Sequence, residues 1–94
     1  MMGGVNSKLV TAGGKVSSVD GLVNALCSVL LTAGSDAATA VIYDGTSASG
    51  TKLATLKATA DSSASWEPGC LAINKGNIYV DISGTGPECV VSWK

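Results

Sequence analysis

Histidine, arginine, phenylalanine and glutamine are all absent from this 94-residue chain. Without His, the commonest general base and metal ligand is missing. Without Arg, there is no bidentate clamp for phosphate or guanine. Charged residues are scarce, at 14% of the chain, where about a quarter is usual. Six Lys stand against seven acids for a net charge of −1, which leaves no basic footprint for nucleic acid. Aromatic residues make up only 4%. No long hydrophobic run exists either. The longest apolar stretch, residues 22–31, is broken by Asn24 and Ser28 and falls far short of the roughly 20 residues of a membrane span. The opening MMGGVNSK lacks the basic start and apolar centre of a secretory signal, so neither a secretory signal nor a membrane span is expected.

What is present is small. Gly, Ala and Ser occur 12 times each and Thr 8 times. A chain of this length is one domain and buries only about 60–65% of the surface its unfolded form exposes. Ala and Gly let sheets approach closely but fill a core poorly, so a partner or further copies of the chain would add stability.

Turn residues recur at short intervals: Gly13-Gly14, Asp20-Gly21, Gly34-Ser35-Asp36, Asp44-Gly45, Ser49-Gly50, Asp61-Ser62, Pro68-Gly69, Lys75-Gly76-Asn77 and Gly84-Thr85-Gly86-Pro87. The runs between them have the length of ordinary strands. The clearest strand covers residues 77–83, with Ile78, Val80 and Ile82 on one face and Tyr79, Asp81 and Ser83 on the other. Residues 88–93 are rich in β-formers, and the short connection 84–87 predicts an antiparallel hairpin with 77–83. Pro87 then falls at a strand start, where a missing N–H is tolerated.

Residues 37–43 and 52–60 read as two further strands joined by an exposed polar loop, with Leu53 out of step with its neighbours. Residues 62–67 and 70–74 read as short strands around Pro68-Gly69. Residues 20–34 fit two patterns. Asp20 as N-cap, an apolar stripe through Leu22, Val23, Leu26, Cys27, Leu30 and Leu31, and Gly34 as the stop describe a helix. Val23, Ala25, Cys27, Val29 and Leu31 on one face describe a strand, and the β-rich context favours it. The expected fold is therefore all-β: a small antiparallel β-sandwich or jelly-roll-like barrel of about 7–8 short strands. Residues 1–8 form an N-terminal arm that orders on docking, and residues 9–94 form the single domain.

The candidates for chemistry are few. Cys27, Cys70 and Cys89 are odd in number and widely spaced, with no CxxC, so neither a zinc site nor a disulfide framework is indicated. They read as three small buried hydrophobes in a reducing compartment, with one disulfide between two of them left open. Asp44-Gly45-Thr46-Ser47 begins like a calcium loop but lacks the alternating oxygen ligands and closing Glu. Asp44 reads as a turn residue whose carboxylate bonds nearby backbone. No Gly-x-Ser-x-Gly elbow occurs. No catalytic residue, metal site or cofactor is expected. Trp66 and Trp93 are the large anchors, as plugs at the ends of the core or as stacking contacts for a partner or a sugar.

Two stretches carry a resemblance. Residues 37–53 read AATAVIYDGTSASGTKL, a strand ending in an aromatic-Asp pair followed by a Ser/Ala/Gly loop. Residues 74–86 read NKGNIYVDISGTG, an aromatic-Val-Asp strand running into a Gly-Thr-Gly turn. Together they resemble small β-sandwich virion structural proteins of tailed bacteriophages. That resemblance implies a particle component without enzymatic activity. Capsid decoration (cement) fits a short, many-copy chain. Such a protein binds the major capsid protein on the outer shell, as a homotrimer, and contacts neither nucleic acid nor membrane. A tail, neck or fibre subunit, and a carbohydrate-binding β-sandwich, are the alternatives.

Overall fold

The computed structural model describes residues 6–11, 14–16, 23–74 and 76–94. None of them is helical. Accordingly, no helix among the described residues is long and apolar enough to cross a membrane. The chain forms strands β1 (Asn6–Val10), β2 (Gly14–Val16), β3 (Ala25–Thr32), β4 (Ala38–Asp44), β5 (Thr51–Ala58), β6 (Ser63–Trp66), β7 (Leu71–Ala72), β8 (Ile78–Ser83) and β9 (Glu88–Trp93). The expected all-β fold is what the chain adopts. The Asp20-Gly21 turn and the first residues of the 20–34 segment lie outside the described residues, and the remainder of that segment is built around β3.

The strands form two antiparallel sheets. One has the order β1-β9-β3-β6, with β7 also paired to β3; the other has the order β2-β8-β4-β5. Trp66 of β6 stands opposite Val29, and Leu71 of β7 stands opposite Leu26. Both short strands therefore follow β3 in one direction and occupy a single strand position. Counted that way, eight strands interleave as 1-8-3-6 and 2-7-4-5, which is the jelly-roll arrangement. Residues 6–8, assigned to an arm from sequence, open β1 and pair with residues 91–93 of β9. Residues 1–5 of the expected arm lie outside the described residues.

The hairpin expected from residues 77–83 and 88–93 does not form. β8 belongs to one sheet and β9 to the other. The 84–87 connection is an arch over the top of the core, with Gly84 at φ 131° and Gly86 at φ 67°. Both angles lie in the region that side-chain-bearing residues avoid. Among the described connections, only that between β4 and β5 closes a hairpin within one sheet. At the arch end, Ala33 N–H donates to the Ser62 carbonyl at 2.8 Å and Asp61 N–H to the Gly34 carbonyl at 2.9 Å. A Cβ on Gly34 would overlap the Thr85 carbonyl oxygen and crowd that of Gly86. Three sheet-to-sheet crossings are thus stacked on one another.

The core lies between the sheets and follows strand alternation. β4 turns Ala38, Ala40, Ile42 and Asp44 inward, and β8 turns Ile78 and Val80 inward. Trp93 is the one aromatic residue among the buried described residues. Two bulges break the alternation. On β5, pairing shifts from Ile42↔Ala54 to Tyr43↔Lys52, so Leu53 is the extra residue. That is the residue out of step in the sequence. On β3, pairing with β9 shifts between Leu26 and Ser28. The extra residue is Cys27; of the expected face Val23, Ala25, Cys27, Val29 and Leu31, the buried residues are Val23, Val29 and Leu31, while Leu26 takes the inward place expected of Ala25 and Cys27.

Candidate functional site

Cys27 and Cys70 form a disulfide, while Cys89 is a buried free thiol. The expectation of three buried hydrophobes is corrected for two of them. The physical cause is the register. Residues 27 and 28 have no partner on β6 or β7, because the chain leaves β3 after Trp66 and returns at Leu71. Gly69 at φ 75° and Cys70 at φ 63° turn this excursion back toward the bulge. Burial pushes the Cys89 thiol up to about 11 from its ordinary 9.0, so it stays protonated and weakly reactive near neutrality.

Asp44 is buried, at 4% exposure. Its carboxylate does bond backbone, but the donor is the Asn74 N–H at 2.9 Å, far away in sequence. Gly45 N–H donates to the Asn77 carbonyl at 3.0 Å beside it. The β4–β5 loop is closed by its own hydroxyls, with Ser47 Oγ and Ser49 Oγ 2.7 Å apart. The role of Asp44 is thus to fasten the β7–β8 connection to the end of β4. Among the described residues, no three His, Cys, Asp or Glu side chains gather where they could hold a metal ion.

The two Trp residues face inward. Trp93 is 4% exposed, and its Nε1–H has no acceptor among the described residues. Its ring is buried within the core of the chain. Trp66 is half-buried against the core at the β6 edge. Both behave as core plugs, and only Trp66 keeps a partly open ring.

The outward faces of the two sheets differ in chemistry. On the β1-β9-β3-β6 sheet, Leu9 stands opposite Val90 and Val90 opposite Leu30. The three are 51%, 37% and 43% exposed, a continuous apolar row across three strands. The flanking rows are Ser7, Ser92 and Ser28 on one side and Glu88 and Thr32 on the other. This face thus carries one charged residue in its paired rows. The β2-β8-β4-β5 sheet presents Tyr43 and Tyr79 side by side, with ring centroids 6.1 Å apart at an angle of 51°. Lys52 stands opposite Tyr43, and Asp81 stands opposite Val41 one row along.

Neither surface was singled out from the sequence. Leu9, Leu30 and Val90 lie in three separate segments of the chain, and Tyr43 and Tyr79 are each one outward residue of a separate strand. The signal for the tyrosines was the outward parity of Tyr79 on residues 77–83. No family model matches the chain, and no curated protein or solved structure is significantly similar to it.

Proposed function

We propose that this chain is a structural component of a tailed-bacteriophage virion. Its first role in that reading is capsid decoration: it seats on the major capsid protein as a homotrimer and braces the outer shell. The observation that carries the reading is the exposed Leu9-Val90-Leu30 row on an almost uncharged sheet face. Apolar surface of this kind, rimmed by small hydroxyl residues, is suited to burial against another protein. Scarce charge limits repulsion between copies packed on a lattice. The jelly-roll interleaving also supports it, since capsid proteins use that architecture, although lectins and cupins do too. The Cys27–Cys70 disulfide suits a protein that works outside a reducing cytoplasm. Function in this reading is binding, with no catalytic step.

The test is quantitative mass spectrometry of purified particles, paired with rebinding of the purified chain to stripped shells. Decoration predicts hundreds of copies per particle and saturable rebinding. Val90→Lys should abolish rebinding while leaving the melting curve unchanged. A copy number of a few per particle would move the chain to the tail, neck or fibre. Absence from particles would end the virion reading.

A further inference from the structure

The outward face of the β2-β8-β4-β5 sheet differs from the rest of the molecule in two respects. It holds both tyrosines of the chain, and their rings are neighbours. It also carries two exposed lysines in a chain whose net charge is −1. Lys52 is exposed opposite Tyr43, and Lys57 is exposed opposite Thr39 on the same side. One row of the sheet thus reads Tyr79, Tyr43, Lys52 across β8, β4 and β5. Asp81 lies in the next row, opposite Val41, and is exposed.

We propose that this face is a binding site for an acidic polysaccharide. Adjacent tyrosine rings form an apolar strip with polar tips, against which the C–H face of a pyranose ring can stack. Lys52 and Lys57 supply cations for the carboxylates of the polymer. The Asp81 carboxylate accepts hydrogen bonds from sugar hydroxyls. The lack of any Arg disfavours a nucleic-acid backbone, whose phosphates are bound most strongly by guanidinium forks. The site is open and shallow, so affinity comes from repeated sugars along a chain. The proposal does not rest on the virion reading. It concerns the face opposite the Leu9-Val90-Leu30 row, and either can fail alone.

Affinity electrophoresis of the full chain tests it, with polygalacturonate, neutral dextran, polyglutamate and oligo-dT each cast in the gel. Retardation by polygalacturonate alone is expected. Tyr79→Ala and Tyr43→Ala should each weaken binding by about tenfold, the loss of one stacking surface. Lys52→Ser, at an exposed position, should weaken binding and flatten its salt dependence without lowering Tm. No retardation by polygalacturonate would overturn the proposal. So would equal retardation by polyglutamate or oligo-dT. If both tyrosine variants melt early, Lys52→Ser decides, and unchanged binding by that variant overturns the site.

Discussion

The Asp44 carboxylate accepts a 2.9 Å hydrogen bond from the backbone N–H of Asn74, although 30 residues separate them. This bond joins the end of β4 to the connection leading into β8, the strand that pairs with β4. A charged acceptor satisfies a partly buried backbone donor there, and such bonds are stronger than neutral ones. Removing the acceptor leaves the donor without its partner.

Asp44→Ala should therefore cost about 1.5–3 kcal/mol of stability. Asp44→Asn keeps an acceptor oxygen and should lose less. Urea unfolding of the three proteins checks this, and equal midpoints would contradict the role assigned to the bond.

The Cys27–Cys70 disulfide closes a loop with a sequence separation of 43. Loop-closure entropy for that length gives a stabilisation of about 2–4 kcal/mol. Cys27→Ser/Cys70→Ser, or reduction of the wild-type chain, should lower Tm by about 8 °C or more. Non-reducing peptide mapping should recover the two cysteines linked and Cys89 free. A melting curve insensitive to reductant would show that the bond contributes nothing.

Gly34 lies beneath the 84–87 arch, where an added Cβ would overlap the Thr85 carbonyl oxygen. Backbone on both sides cannot yield cheaply, so Gly34→Ala should destabilise by about 1–3 kcal/mol. Gly69→Ala is the comparison. Its Cβ would meet nothing within 4 Å, and its cost comes only from φ 75°. Thermal melts should rank Gly34→Ala as the more damaging.

Cys89 gives the chain a pH dependence on the alkaline side. Its folded value of about 11 lies above the ordinary 9.0 because burial disfavours the thiolate. Below pH 9 the thiol is protonated in both states, and its contribution to stability is fully present. Between about 9 and 11 the unfolded chain releases the proton while the folded chain holds it, so stability falls as pH rises. The slope approaches about 1.4 kcal/mol per pH unit. Cys89→Ala removes this contribution, and its stability should fall less steeply over that window. Folded wild-type protein should also resist alkylation at pH 8 until denaturant is added.

Much of the fold was legible locally. Alternation in residues 77–83 placed Ile78 and Val80 inside and Tyr79 and Asp81 outside, because side chains on a strand must alternate. Leu53 broke that alternation, and the structure answers with a bulge at Leu53. The error at 84–87 has a different origin. A short connection brings two strand ends together equally well within one sheet or between two. The choice falls to which sheet buries Cys89, Val91 and Trp93, a property of the assembled core. For the candidate site, the outward parity of Tyr79 was visible and its neighbour was not.

The sequence by itself determined strand length, the turns that separate strands, and the exclusion of His- and Arg-based chemistry. Each of these follows from residue type or from spacing within a few positions. Only the tertiary structure decided the pairing of Cys27 with Cys70, the Asp44–Asn74 bond, and the meeting of Tyr43 and Tyr79. Each joins segments at least 30 residues apart, so each depends on strand order and register. Register is chosen by burying the inward faces of both sheets at once, which no single segment encodes.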